Sequence, residues 1–354
     1  MKKIFVYVAV LGLVALLFSS NLASAQGTTY NPTVFTPNGT RYDLNVDVQA
    51  LADNGSTLFL NYTILAMGNL TLYSERMDQE YIRWGGSAAI QAYSYQYMYG
   101  EEPKVDEFNM SVPIPPVVAV QQNTRKVYAF NISLDQFEGM SQEEIMNLLQ
   151  SLTSGDLRRD IYFLNPFYIP TDVDIGYAVT LGYWNTTADD GFIIEMEINK
   201  EGAITLMGTS YDAWIIEYTG SLWDALTTLN STFNLGIELP SGNESEPIIQ
   251  MLNETQYALR IYYDKASGWL LDVNLQVNGE GDIEVPEENQ TMTMHYLIDA
   301  VIDFGLGDAG SVSVGGQGFI ARQLGISDNM SVLLGLGLLV LVFGLTAKTT
   351  FRKH

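Results

Sequence analysis

Residues 41–51 read RYDLNVDVQAL, and polar and apolar side chains alternate from Arg41 to Ala50. Side chains two positions apart lie on the same face of a β-strand, so this alternation predicts a strand with one buried and one exposed face. Asp53-Asn54-Gly55 supplies a turn, and the alternating stretch Thr57–Leu65 follows it. The sequence therefore predicts an antiparallel hairpin here.

Further pairs of alternating stretches flank glycine-containing turns: Tyr177–Trp184 with Phe192–Asn199, and Tyr257–Tyr263 with Trp269–Val277. The region 278–288 is rich in acidic residues and glycine and is interpreted as a solvated loop. The predicted fold class is mainly β. We expect an antiparallel, hairpin-rich ectodomain with a few short helices, followed by one C-terminal transmembrane helix.

Two short helices are predicted from capping boxes. Ser141 and Glu144 precede one apolar helical face, and Ser221 and Asp224 precede a second. Each half of the chain thus contains strands and a helix. A domain boundary near residues 153–159 and a single large sheet domain both fit this pattern.

Both ends of the chain are apolar. Residues 1–25 have two lysines, an apolar run and Ala23-Ser24-Ala25, the pattern of a signal peptide cleaved before Gln26. Residues 330–347 contain no charged side chain and would span about 27 Å as a helix, close to the hydrocarbon thickness.

The basic tail sets the predicted topology. Lys348, Arg352 and Lys353 follow the apolar segment, which predicts a single-pass protein of the cell membrane with the N-terminus outside and residues 348–354 in the cytoplasm. The ectodomain then comprises residues 26–304. A stalk containing Gly and Ser covers residues 305–329.

The charge lies almost entirely in the middle of the chain. All 41 acidic residues but only 12 of the 17 basic residues lie between Gln26 and Asn329, which gives 12 − 41 = −29. Such a surface repels nucleic acid and anionic lipid headgroups. A solvated acidic coat is the favoured interpretation. The absence of cysteine excludes disulfides and zinc–thiolate sites.

The region between the two apolar ends is dense in N-glycosylation sequons. Composition alone gives about three such triplets, and the chain has twelve. We predict modification at eleven, because Asn329 abuts the membrane. The eleven are Asn38, Asn54, Asn61, Asn69, Asn109, Asn131, Asn185, Asn230, Asn243, Asn253 and Asn289.

A ladder of tyrosines occurs in one predicted strand. Tyr93, Tyr95, Tyr97 and Tyr99 alternate with smaller or less apolar residues and therefore share a face. Cross-strand packing in the sheet core is the favoured interpretation. A binding face for sugars or a partner is the alternative.

Calcium is the metal that the sequence fits best, although we predict no cofactor. Asn278, Glu280, Asp282 and Glu284 place oxygen atoms at alternate positions. Alternate residues of an extended strand spread too far to wrap an ion, and the EF-hand glycine is missing.

Catalytic signatures are absent from the sequence. The two histidines are His295 and the terminal His354, and no G-x-S-x-G motif is present. We therefore expect a non-enzymatic protein. An extracellular hydrolase using two carboxylates is an open alternative.

Residues 262–276, YYDKASGWLLDVNLQ, resemble a Y-x-K-x-x-G-hydrophobic pattern of uncharacterised archaeal cell-surface proteins. Those proteins share the layout of signal peptide, β-rich ectodomain and terminal anchor, so the resemblance implies a place in an archaeal cell envelope. The expected function is a surface-coat component or an adhesin-like binding ectodomain, with other surface proteins or glycans as partners. A half-barrel module that binds an apolar ligand is a further alternative.

Overall fold

The computed structural model describes residues 39–131, 140, 141, 144, 147, 148, 151–225, 227, 246–287 and 290–307. The strands are β1 Thr40–Asp53, β2 Leu58–Arg76, β3 Tyr81–Met98, β4 Lys104–Gln121, β5 Lys126–Ala129, β6 Ile161–Leu164, β7 Ala178–Asn185, β8 Asp190–Glu197, β9 Lys200–Leu206, β10 Thr209–Ser221, β11 Gln256–Asp264, β12 Leu270–Glu287 and β13 Gln290–Leu306. Helix α1 is Glu246–Glu254, and Ser154–Asp156 form a 3₁₀ turn.

These strands form one antiparallel sheet in the order β8-β7-β6-β5-β4-β3-β2-β1-β13-β12-β11-β10-β9. The two edge strands, β8 and β9, are joined by Ile198 and Asn199. Ile198 N donates to Tyr177 O at 2.9 Å, and Asn199 N donates to Ile215 O at 3.1 Å. Both edges thus meet along one continuous stretch of chain, which requires the sheet to curl around one of its faces.

The curled sheet buries the face that we call the inner face. It carries the even-numbered residues of β1, β2, β3, β10 and β13 and the odd-numbered residues of β11 and β12. Val46 pairs with Ile302, and Ile302 pairs with Leu275, so these three buried side chains form one row. Burial of such rows is the main stabilising contribution to a sheet of this kind.

Aromatic rings fill one end of the inner face. Trp84 stacks on Trp269 with centroids 5.9 Å apart and planes at 26°. Tyr42 stacks on Phe304 at 5.1 Å. Phe167, which lies in the segment between β6 and β7, is fully buried and packs 5.2 Å from Tyr42. The connection between two short strands therefore completes the core.

A second, smaller core lies on the opposite face, which we call the outer face. Its buried members are Tyr81, Ala119, Tyr128, Phe130, Leu157 and Tyr162. Arg83 is only 6% exposed there, donates from Nη2 to the carbonyl of Leu152, and lies 5.2 Å from the ring of Phe130. The chain around residues 151–157 thus covers the outer face at the start of β3.

Arg125 holds the short strands together from the turn between β4 and β5. Its side chain is buried, and its guanidinium donates to three backbone carbonyls: Asn165 at 3.3 Å, Tyr168 at 3.4 Å and Thr180 at 3.1 Å. Charged donors form stronger hydrogen bonds than neutral donors. This one side chain therefore fixes the segment that carries Phe167 against β7.

The structure confirms the predicted fold class as far as the sheet is concerned. The predicted strand 41–51 is β1, and the capping residues take their expected roles: Glu144 N donates to Ser141 Oγ, and Asp224 N donates to Ser221 Oγ. Helix α1 was not predicted. The strands on either side of residues 153–159, β5 and β6, pair with each other within the one sheet.

The structure can be compared with the predictions for the C-terminal part of the chain. The interpretation of residues 278–288 as a loop is wrong for residues 278–287, because β12 continues to Glu287, paired residue for residue with β13. β13 runs to Leu306, two residues into the predicted stalk. Among the described residues, no helix is long and apolar enough to cross a bilayer. The predicted signal peptide and the apolar segment 330–347 lie outside the described residues.

Candidate functional site on the outer face

The tyrosine ladder lies on the outer face, away from the inner core. Tyr93, Tyr95 and Tyr97 alternate along β3 with inner-face residues such as the buried Ser94, and their side chains are partly exposed. Tyr99 follows the end of β3 and is 64% exposed. Tyr93, Tyr95 and Tyr97 therefore belong to a continuous outer surface rather than to the inner core.

Two apolar side chains of β2 extend this surface. Leu65 is the cross-strand neighbour of Tyr93 and is 37% exposed, while Met67 is 66% exposed. We call Leu65, Met67, Tyr93, Tyr95 and Tyr97 the aromatic stripe. An exposed apolar group of this kind on a sheet commonly marks a contact surface.

Acidic residues border the aromatic stripe on both sides. On β4, Glu107 is the cross-strand neighbour of Tyr93. On β1, Asp47 is the neighbour of Leu65. One row across four strands therefore reads Glu107, Tyr93, Leu65, Asp47, so one carboxylate lies on either side of the stripe in this row, and we call these two residues its acidic rims. The adjacent row, which reads Asn109, Gln91, Met67, Asn45, is neutral.

Three sequon asparagines lie on the same face as the aromatic stripe. Asn61 is the cross-strand neighbour of Tyr97. Asn109 pairs with Gln91, whose other neighbour is Met67. Asn69 follows Met67 by two positions on β2 and therefore shares its face. These asparagines surround the stripe within one or two strand spacings.

The remaining described sequons lie elsewhere on the surface. Asn54, Asn131, Asn185 and Asn253 are exposed or partly exposed. Asn54 Oδ1 caps its turn by accepting from Thr57 N at 2.8 Å, and Asn185 Oδ1 accepts from Thr187 N at 3.0 Å. Four predicted sites lie outside the described residues: Asn38, Asn230, Asn243 and Asn289.

The calcium candidate lies on an extended strand. Asn278, Glu280, Asp282 and Glu284 are exposed side chains on the outer face of β12. Next to them on β13, His295 Nδ1 lies 3.2 Å from Asp282 Oδ1, and its Nε2 lies 3.9 Å from Glu280 Oε1. No cluster of three or more metal-binding side chains occurs within the described residues. In an extended strand, residues two positions apart are separated by about 7 Å, so the side-chain oxygen atoms of these four residues are spread along the strand.

Sequence reasoning missed a carboxyl pair on the same face. Asp272 of β12 is buried, and its side chain is hydrogen-bonded to Asp303 of β13. Burial, followed by the charge of Asp303, raises the pKa of Asp272 to about 7. Asn274 Nδ2 also donates to Asp303 Oδ1 at 3.3 Å. The two acidic residues lie 31 positions apart (303 − 272), and only the strand register brings them together.

This pair does not have the geometry of a glycosidase site. Retaining and inverting glycosidases hold their two carboxyl groups roughly 5–10 Å apart, with room for substrate or water between them. The Asp272 and Asp303 carboxyls are in direct hydrogen-bond contact on the outer face of the sheet. They are arranged to share a proton.

No known protein family and no curated protein matches the sequence. Among solved structures, OccK7 (OpdD) from Pseudomonas aeruginosa is 9% identical, with 75% of this chain and 98% of that chain covered and a TM-score of 0.22. OprB from Pseudomonas putida is 7% identical, with 76% and 92% covered and a TM-score of 0.24. Scores this low carry no inference about fold or function.

Proposed function

We propose that this chain is an exported, N-glycosylated protein of an archaeal cell surface, held by one transmembrane helix formed by residues 330–347. Its ectodomain would be a non-enzymatic coat component or an adhesin-like binding module. The observation that carries the proposal is the placement of the sequons. All seven that fall in the described residues have exposed or partly exposed asparagines, although the sheet buries much of its surface.

The charge distribution supports the same proposal. The net charge of −29 between Gln26 and Asn329 suits a solvated outer surface, and the basic residues after Ala347 suit the cytoplasmic side of a membrane. Acidic rims on the outer face would also keep neighbouring copies apart in a crowded envelope. Export, glycosylation and anchoring thus explain features that a sheet core alone would not require.

The test is expression of the full chain, with a C-terminal tag, in a host that exports and N-glycosylates proteins. We expect glycopeptide mapping to find sugars on several of the described asparagines, and the tag to be protected from protease added to intact cells. A chain that ends at residue 329 should appear in the medium instead of the membrane fraction. Full-length protein that stays unmodified and is released in soluble form would contradict the proposal.

A second candidate function is binding of an apolar ligand against the inner face. The Tyr62 hydroxyl lies buried on the inner face of β2 and has no hydrogen-bond partner among the described residues. Burial raises the pKa of Tyr62. Its inner-face neighbours are the partly buried Ala50 and Gln96. A ligand with a long apolar part and one polar group would satisfy this hydroxyl.

A fluorescent fatty-acid probe added to the full chain tests this second candidate. We expect saturable binding that Tyr62→Phe weakens by about two- to tenfold, the value of one hydrogen bond. Tyr73→Phe, on the outer face of the same strand, is the matched control and should leave binding unchanged. Absence of saturable binding would remove the candidate.

A further inference from the structure

The aromatic stripe is an exposed surface without an assigned occupant. It exposes 37% of Leu65 and 66% of Met67 beside the partly exposed rings of Tyr93, Tyr95 and Tyr97. The cost of leaving such side chains in water is about 25 cal/mol for each Å² of apolar surface. A surface of this kind is more stable when another group covers it.

The charges around the stripe disfavour two occupants. A second copy of the same face would place the acidic rims, Glu107 and Asp47, against their own counterparts. Like charges brought together in this way repel. An anionic lipid surface is disfavoured for the same reason. The occupant should therefore be neutral and should tolerate water.

The strand register places carbohydrate attachment points at the border of the stripe. Asn61 lies directly across from Tyr97, so the two side chains leave the sheet one strand spacing, about 4.8 Å, apart. Asn109 is separated from Met67 by the single strand that carries Gln91. Asn69 lies beyond Met67 on the same strand. A sugar on Asn61 therefore begins beside the ring of Tyr97, and sugars on Asn69 and Asn109 begin near Met67.

The chemistry of a neutral glycan matches the stripe. One face of a pyranose ring consists largely of C–H groups, which make dispersion contacts with a flat aromatic ring. The tyrosine hydroxyls and the nearby Thr63, whose strand neighbour is Tyr95, can bond sugar hydroxyls at the edges. A neutral sugar also has no charge for the acidic rims to repel.

We propose that the aromatic stripe is the docking surface for the protein's own N-linked glycans, carried by Asn61, Asn69 and Asn109. This inference rests on the proposed N-glycosylation of the chain. The sugars lie along the outer face of β2 and β3 instead of extending freely into solvent. The glycans then complete the surface of the sheet.

Hydroxyl-radical footprinting of the glycosylated full chain tests the proposal. The variant N61Q/N69Q/N109Q removes the three neighbouring glycans, and N131Q/N185Q/N253Q removes three that lie elsewhere. We expect oxidation of Met67, Tyr93, Tyr95 and Tyr97 to become several-fold faster in the first variant and to stay at the wild-type rate in the control. Thermal unfolding of both variants checks that each is folded. Treatment of the folded wild type with a peptide-N-glycosidase should reproduce the faster oxidation without any substitution.

The outcomes separate this inference from the proposed function. Equal oxidation rates in all forms, with glycopeptides showing that Asn61 and Asn109 are occupied, would overturn the docking inference and leave the glycoprotein intact. Sugars found only on asparagines away from the stripe would do the same. A chain without any sugar would overturn both.

Discussion

The buried Asp272 carboxyl is hydrogen-bonded to the carboxyl of Asp303 on the adjacent strand. Two carboxyl groups can form such a bond only when one keeps its proton. The pKa of Asp272 is raised to about 7, first by burial and then by the charge of Asp303. Other charged or titratable groups on this part of the outer face are Tyr262 and Arg260 of β11, and Asp43 of β1 with its ion-pair partner Arg41. The Asp272 carboxyl fits here because residue 305 is a glycine: a Cβ added at Gly305 would lie 2.2 Å from Asp272 Oδ1.

Replacing Asp272 by Asn should remove a pH dependence of stability. Because the folded-state pKa is raised from 3.8 to about 7, this group's contribution is fully present below about pH 4 and is lost as pH rises through 7. The unfolding free energy of the wild type should therefore fall by up to a few kcal/mol over that range, on top of other titrations. Asp272→Asn keeps a neutral hydrogen-bonding group and should flatten this component. Chemical denaturation at pH 4, 5.5, 7 and 8 measures it.

Glu284→Gln is the matched control for this pH profile. Glu284 lies on the outer face of the same strand but is exposed. Its replacement should leave the difference in unfolding free energy between pH 4 and pH 8 close to the wild-type value. If Asp272→Asn and the wild type give parallel profiles, Asp272 does not hold a proton in the folded protein.

Replacing Arg125 by Met should destabilise the protein strongly. Methionine keeps much of the apolar stem but leaves the carbonyls of Asn165, Tyr168 and Thr180 without the guanidinium donor. We expect a loss of about 3 kcal/mol, as for buried hydrogen bonds to a charged group. Arg158→Met is the comparison, because the side chains of Arg158 and its partner Asp160 are 51% and 35% exposed and such surface pairs contribute about 1 kcal/mol or less. Equal effects of the two substitutions on the denaturation midpoint would show that Arg125 does not organise the core.

The sequence was sufficient to predict the sheet where the apolar residues lie on the inner face. In β1 the alternation predicted one buried face, which carries the buried Val46 and Val48, and in β2 the alternating stretch 57–65 places the buried Ile64 on the same inner face. Local period and local burial agree in these strands. The prediction therefore needed no knowledge of the partner strands.

The local sequence pattern was misleading in two strands, β3 and β12. In β3 the larger apolar side chains, Tyr93 and Tyr95, lie outside, while the buried Ser94 between them lies inside. In β12 the acidic, glycine-rich sequence suggested a loop, yet the full pairing with β13 keeps it extended. Gly279 is needed there because an added Cβ would lie 2.2 Å from Thr255 Oγ1, at the end of α1. Only the neighbouring elements explain these choices.

The remaining features depend on long-range placement. The partners of Arg125 are backbone carbonyls 40–55 positions away in the chain, and a carbonyl leaves no trace in the sequence. The Asp272–Asp303 contact likewise requires the exact register of β12 on β13. The sequons, in contrast, could be identified directly, but their position around the aromatic stripe required the pairing of β2, β3 and β4.

Gly268, the glycine of the turn between β11 and β12, tests how the chain closes its core. Its φ of +75° lies in the left-handed region, and a Cβ added there would lie 2.1 Å from the carbonyl oxygen of Ile169. The two segments are also joined by a hydrogen bond from Ile169 N to Gly268 O at 2.8 Å. The next residue, Trp269, stacks in the aromatic core. Gly268→Ala should therefore displace the segment at Ile169 as well as strain the turn.

Gly208→Ala is the matched control, because it introduces the strain of the left-handed conformation without a steric clash. Gly208 has nearly the same φ, +76°, but an added Cβ would meet nothing within 4 Å. We expect Gly208→Ala to lose about 1–2 kcal/mol, the cost of the left-handed conformation alone. Gly268→Ala should lose roughly 1–3 kcal/mol more through overpacking, and its near-ultraviolet circular dichroism should change because Trp269 moves. Similar denaturation midpoints for the two variants would mean that the 168–170 segment does not pack against this turn, and the proposed route by which the loop between β6 and β7 fills the core would be wrong.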